Sequence, residues 1–183
     1  YATPGVNGIC DQIKALEWVR DNISGFGGDP SKVTIAGESA GGFSVATLLG
    51  CEQAQGLFRR AIPQSGATHH TLTDDVGKVV ADLLMDELGV ESIDELKSAS
   101  VLDILKAQSR VDVRYNPMNI GNGVQAFYPV ELNEVLPIPL RESIRAGVGA
   151  SVPVLTGTNK DENTLFVVEK VSPEKLRYQA KAY

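Results

Sequence analysis

Ser39 sits in the run Val33-Thr34-Ile35-Ala36-Gly37-Glu38-Ser39-Ala40-Gly41-Gly42, with a glycine two residues away on each side. A serine hydroxyl is a poor nucleophile at neutral pH. It acts only beside a base, usually a histidine, which a carboxylate orients and stabilises once protonated. The spacing G-x-S-x-G supplies the other requirement, a turn sharp enough to lift the hydroxyl clear of the backbone. Such a turn strains the serine, and a Cβ at the neighbouring glycines would collide with adjoining elements. The chemistry this allows is acyl transfer through Ser39 Oγ, with the Ala40 N–H aimed at a developing oxyanion.

The elements that must hold such a turn are present. Val33 to Ile35 is a β-branched run that reads as a buried strand spanning Lys32 to Ala36, and Ala40 to Leu49 is small and apolar enough for a buried helix. A strand feeding a helix is the unit of a parallel sheet covered on both faces. Upstream, Ile9, Ile13, Leu16, Val19 and Ile23 repeat at spacings of four and three, so Ile9 to Ser24 reads as an amphipathic helix, with Ala15 and Trp18 widening its buried face. Gly25 and Phe26-Gly27-Gly28-Asp29-Pro30 then turn the chain. Leu57 to Pro63 leads into a second short strand closed by Ser65-Gly66.

Beyond that the pattern turns helical. Thr73 is placed to cap a helix with Val76, Val79, Val80, Leu83, Leu84 and Leu88 as its apolar positions and Gly89 as its stop. Ser92-Ile93-Asp94-Glu95 is a capping box, and Ser100 can cap a further helix through Leu105. Asn116 to Gly123 is a polar, glycine-rich loop. Leu140 to Ala146 reads as a short helix and Val152 to Gly157 as an apolar strand. Asp161 or Asn163 begins another helix, and Ser172-Pro173 marks one more start.

Two acids and two histidines compete for the remaining roles. Glu162 lies in the loop after the strand Val152–Gly157, at the sheet edge where ligands bind in open parallel sheets. From the residues alone, a capping or solvated carboxylate is the commoner reading of it, and Asp161 is the runner-up acid. His69 and His70 are the only histidines among 183 residues. Both precede the acids, whereas serine, acid, histidine is the chain order of the α/β-hydrolase triad. They read as loop residues, on the wall of a pocket.

Composition narrows the alternatives. Seventeen Lys and Arg against 23 Asp and Glu give a net charge of −6, which argues against a nucleic-acid partner. No apolar run reaches the length of a membrane span. Neither His/Cys ligand spacing nor a Gly-x-x-x-x-Gly-Lys loop is present, so no metal or cofactor is expected. Cys10 and Cys51, the only cysteines, read as thiols, with a disulfide left open. The chain starts at Tyr1 in a loop pattern and stops at Tyr183 in a helical one, so both ends look cut. With no leader visible, the cytoplasm is favoured for its compartment, and its oligomeric state is open.

Asn7-Gly8-Ile9-Cys10-Asp11-Gln12, Ala15-Leu16-Glu17-Trp18-Val19, Phe26-Gly27-Gly28-Asp29-Pro30, Gly37-Glu38-Ser39-Ala40-Gly41-Gly42 and Gln64-Ser65-Gly66 follow one another closely. Together they resemble the type-B carboxylesterase family, which includes cholinesterases and bacterial para-nitrobenzyl-type esterases. The likeness is dense from Asn7 to Gly66 and thin after it. It returns at Tyr128-Pro129-Val130 and at Gly157-Thr158-Asn159-Lys160-Asp161-Glu162. The mix of motifs, Gly66-Ala67-Thr68-His69-His70 included, looks more like bacterial members.

The resemblance implies a partial α/β-hydrolase fold: an elbow-bearing core over 1–72, a helical insertion over 73–127, and a return to the core with the acid loop over 128–183. It makes Ser39 the nucleophile, Ala40 an oxyanion donor and Glu162 the triad acid. It puts the family's histidine beyond Tyr183 and its glycine-rich oxyanion loop before Tyr1. Where the family has Asp-Gly after Pro129-Val130, this chain has Glu131-Leu132, a change expected to alter a turn and no catalytic group. The implied activity of the parent protein is hydrolysis of small carboxylic esters, with the isolated chain inactive or poorly active. The alternatives are a non-catalytic relative, since adhesion proteins of the family keep the fold and lose the serine, and a lipase or amidase using the same triad.

Overall fold

The computed structural model describes residues 5–115 and 126–162. The polar loop expected over Asn116–Gly123 and the helix starts expected at Asn163 and at Ser172-Pro173 lie outside them. The chain divides into two compact units, residues 1–72 with 129–164 and residues 73–128 with 165–183.

The first unit is α/β. Helix α1 (Asn7–Asn22) buries Ile9 and Ile13, and short 3-10 turns at Ile23–Phe26 and Pro30–Lys32 carry the chain on to strand β1 (Thr34–Glu38). β1 lies two residues later than the apolar run suggests. Asp29 caps the second turn by accepting the Ser31 N–H at 2.9 Å, which keeps Lys32 helical. Trp18 does not join the buried face of α1: it is 53 % exposed, with its ring against Phe26 at 5.9 Å. Nine residues at about 100° each put it opposite Ile9 on the helix. Ala15 is exposed as well.

Helix α2 (Ala40–Leu49) follows β1 directly, and strand β2 (Arg60–Gln64) pairs with β1 in parallel, with Ala36 opposite Ile62 and Glu38 opposite Gln64. The segment expected as a third strand joins through parallel bridges, Val154 to Ala61 and Gly157 to Gln64, and not as a continuous ladder. Pro153 contributes a carbonyl to the Ala61 N–H but has no N–H to give in return. Val6, Ile9, Val45, Leu48, Phe58 and Leu136 belong to the core beneath this sheet.

The chain bends at the Glu131-Leu132 departure. Leu132 takes a φ of 64°, a left-handed conformation that costs a branched side chain energy. Glu131 is 9 % exposed, and its carboxylate accepts the Thr71 hydroxyl at 2.7 Å and the Leu140 N–H at 2.8 Å. Those bonds offset the cost of burying a carboxylate. They also tie the chain just after His70 to the first residue of helix α3 (Leu140–Arg145).

The second unit is helical: α4 (Asp74–Leu88), α5 (Ile93–Ser98) and α6 (Val101–Tyr115), numbered here after the α/β unit. α4 and α6 pack together and bury Val80, Ala107 and Val111. Arg114 bonds Asp86 at 2.7 Å and Glu87 at 2.6 Å across them. Half of the capping box at Ser92 forms: the Glu95 N–H donates to Ser92 Oγ at 3.2 Å, but the Glu95 carboxylate accepts the N–H of Glu91, one residue before the cap. Thr73 precedes α4 as expected, but its hydroxyl bonds Asp75 and no backbone N–H. α6 runs ten residues past the expected Leu105, through a charged stretch whose inward positions are Ala107 and Val111.

Candidate active site

Ser39 occupies the single residue between β1 and α2, with φ 51° and ψ −116°. A non-glycine residue is rarely found there, and such strain persists only where the surroundings over-determine it. The surroundings here are backbone. The Ser39 N–H donates to Gln64 O at 2.9 Å and the Phe43 N–H donates to Ser39 O at 2.9 Å. A Cβ on Gly37 would lie 2.3 Å from the Gly41 carbonyl, and one on Gly42 would lie 2.6 Å from Gln64 O. A Cβ on Gly41 would meet open space, so the collision expected at both glycines of the motif holds at Gly37 and not at Gly41.

Ser39 and Ala40 are both exposed. Ala40 is the first residue of α2, so its N–H has no acceptor within the helix. The α2 N-terminus also carries a partial positive charge, and both features suit a negative oxygen held beside Ser39.

Glu162 lies in a turn after the Val154–Gly157 bridges. Its carboxylate accepts the Asn159 N–H at 2.7 Å, and the Ser65 hydroxyl first, then that N–H, hold its pKa below the usual glutamate range. Ser65, like Ser39, has a φ of 51°, and its N–H donates to Gly157 O at 2.9 Å. An open cleft of ≈ 340 Å³ at this edge of the sheet is lined by Glu38, Gln64, Ser65, Gly157 and Asn159, among others. Ser65 is the residue that sequence pattern did not single out as a partner of the acid. The only signal for it was its place at the end of β2. Asp161, the runner-up acid, is exposed.

His69 and His70 pack on Phe43, one turn into α2 from Ser39. The centroid of the His70 ring lies 3.6 Å from that of Phe43 and 4.3 Å from that of His69. Burial, then the neighbouring His69, lowers the His70 pKa to about 4. Burial and the charge of Arg141 lower that of His69. Both rings are therefore neutral at pH 7. A group titrating near 4 is a weak proton acceptor for a serine hydroxyl.

A larger depression of ≈ 900 Å³ belongs to the helical unit, among Glu87, Asp94, Glu95, Asp103, Lys106 and Arg110. It contains no nucleophile held in a strained turn. Among the described residues no three His, Cys, Asp or Glu side chains gather as a metal site would require. No described helix is long and apolar enough to cross a membrane.

The profile of the carboxylesterase family matches residues 2–182. The chain belongs to the carboxylesterase family. It is 40 % identical over 162 residues to the para-nitrobenzyl esterase of Bacillus subtilis, covering 87 % of this chain and 32 % of that protein. It is 37 % identical over 173 residues to a probable N-octanoylanthranilate hydrolase of Rhodococcus erythropolis, covering 89 % and 36 %. Human neuroligin-3 is 32 % identical over 174 residues, 94 % of this chain and 20 % of that one. Among solved structures, a thermophilic PNB esterase superposes with a TM-score of 0.83 at 36 % identity, over 96 % of this chain and 36 % of that one. These esterase structures carry the α/β-hydrolase fold, of which the parallel sheet and its helices here are a part. The carboxylesterase chain described here thus spans about a third of the length of its esterase relatives.

Proposed function

We propose that this chain is the nucleophile- and acid-bearing part of a serine esterase that cleaves small carboxylic esters. Ser39 Oγ attacks the ester carbonyl carbon and gives its proton to a histidine base. The Ala40 N–H stabilises the resulting oxyanion, and the alcohol leaves with the proton from the base. Water then attacks the acyl-Ser39 ester by the same route in reverse roles. Glu162 orients and stabilises the imidazolium, and Ser65 and Asn159 keep Glu162 ionised and in place. The base and the other oxyanion donors are supplied by further parts of the parent polypeptide, since burial against Phe43 leaves His69 and His70 weak proton acceptors.

The observation that carries this reading is the conformation of Ser39. Its strained backbone, held by hydrogen bonds to Gln64 and Phe43, presents an exposed serine at the head of α2, as a nucleophile requires. A non-catalytic binding role is the second reading. A fluorophosphonate probe separates them. The parent polypeptide should be labelled at Ser39 and turn over nitrophenyl esters, and the 183-residue chain should do neither. An unlabelled parent protein would favour binding. A labelled 183-residue chain would make His69 or His70 the base. A series of nitrophenyl esters and anilides in the parent protein would then separate an esterase from a lipase or amidase.

A further inference from the structure

His69 and His70 take no proton in the proposed chemistry, yet they pack on the helix that follows Ser39. The chain reaches them past the nucleophile turn. A Cβ on Gly66 would lie 2.6 Å from the Phe43 nitrogen, so main chain touches main chain there. A few residues on, both imidazoles meet the Phe43 ring edge-on, His70 with 3.6 Å between centroids and His69 with 5.4 Å. The Phe43 N–H donates to Ser39 O at 2.9 Å, the bond that closes the first turn of α2. His70 is in turn held from its other side. Thr71, the next residue, donates its hydroxyl to the Glu131 carboxylate at 2.7 Å. Leu72 receives the Glu131 N–H at 2.8 Å and donates to Pro129 O at 2.9 Å. The Glu131 oxygen that meets Thr71 also accepts the Leu140 N–H, which fixes it to the start of α3.

We propose that His70 is a positioning residue for Ser39, acting through the shape of its ring on Phe43, and that Glu131 anchors it there. The inference rests on the esterase reading and deepens it. Each step is a direct contact: Glu131 with Thr71, His70 with Phe43, Phe43 with Ser39. Without the ring, Phe43 has room to shift, and the bond to Ser39 O carries that shift into the strained turn. Displacing a reacting atom by about 1 Å can cost roughly 10²-fold in rate. The loss should fall on kcat and leave KM unchanged, because what is lost is alignment in the transition state.

The test is steady-state kinetics of the parent protein on a nitrophenyl ester. His70→Ala should lower kcat roughly 10- to 100-fold at constant KM. His70→Phe keeps a ring but has no proton to exchange, and it should restore most of that loss. Glu131→Ala should lower kcat in the same way, and Glu131→Gln, whose amide oxygen can accept both bonds, should restore it. The double variant His70→Ala/Glu131→Ala should lose little more than either single one, since both act through one contact series. His70→Leu, apolar but without a ring, should show an intermediate loss and serves if His70→Ala does not fold. Equal losses in His70→Phe and His70→Ala would overturn the proposal, because His70 would then act through its proton. So would an unchanged kcat in His70→Ala or His70→Leu, or a rise in KM alone. Additive losses in the double variant would overturn the role of Glu131. An unaltered parent protein with no turnover and no fluorophosphonate label at Ser39 overturns the esterase reading as well, which tells the two failures apart.

Discussion

The nucleophile turn and the acid loop lie at the same edge of one sheet and are built in opposite ways. Ser39 is held by main chain: hydrogen bonds to Gln64 and Phe43, and approaches at Gly37 and Gly42 that leave no room for a methyl group. Glu162 is held by the Asn159 N–H that its own carboxylate accepts, and its charge is favoured by the Ser65 hydroxyl. The first arrangement resists substitution of its neighbours and the second depends on them by degrees. On the proposed function, position is enforced where the reacting atom would sit, and protonation is tuned where charge would be needed.

Replacing the reacting atom should have the largest effect. Ser39→Ala in the parent protein should cost roughly 10⁶-fold in kcat and abolish fluorophosphonate labelling, while leaving the unfolding midpoint the same or higher. Glu162→Gln should follow at roughly 10⁴-fold in kcat, read with a nitrophenyl ester, if the acid acts as proposed. A loss below tenfold would move the acid elsewhere, Asp161 first.

The turn itself offers a sharper contrast. Gly42→Ala should destabilise the fold by about 2–4 kcal/mol in denaturant titration, because its methyl group meets main-chain oxygen and not a side chain that can swing away. Gly41→Ala, in the same motif, has open space and a helical backbone, and should be neutral or stabilising by up to about 1 kcal/mol. Equal effects at the two positions would remove the basis for calling the turn sterically determined.

On the acid side, Ser65→Ala should lower kcat about tenfold and raise the Glu162 pKa toward its ordinary value, since the hydroxyl is the main cause of the depression. The sign follows from linkage. A glutamate depressed in the folded state stabilises the fold above its ordinary pKa of about 4.5 and loses that contribution as pH falls. Ser65→Ala should therefore flatten the acid limb of the stability curve.

The smallest effect belongs to the titration of His70. His70 titrates near 4 when folded and near 6.5 when unfolded, so its contribution is fully present above about 6.5 and fades as pH falls toward 4. His70→Phe should weaken that slope in pH-dependent unfolding and leave the behaviour above pH 7 nearly unchanged.

The elbow was legible because its sequence signal is local: a β-branched run, two glycines and a small-residue helix within seventeen residues of one another, from Val33 to Leu49. The same locality made the stop at Gly89 and the box at Ser92 readable. The link from Ser65 to Glu162 was not readable, because it spans a fold back through the third segment of the sheet, and nothing near either residue announces the other. Trp18 was misplaced by treating a large apolar residue as core before asking which way its helix turns. α6 ran past Leu105 because one buried residue per turn, Ala107, Val111 and Tyr115, can carry a helix whose outer face is charged.

The contact between Gly42 and Gly66 has a mechanical consequence. There, main chain lies directly against main chain, with a Cβ on Gly66 placed 2.5 Å from the Gly42 carbonyl carbon. A joint of this kind contains no void to close and no rotamer to change, so it is stiff under compression. Hydrostatic pressure acts on voids, so it should leave the offset between the Ser39 turn and the end of β2 nearly unchanged. Softer parts of the pocket wall would yield first, which makes pressure a way to vary the shape of the substrate site while the nucleophile stays fixed.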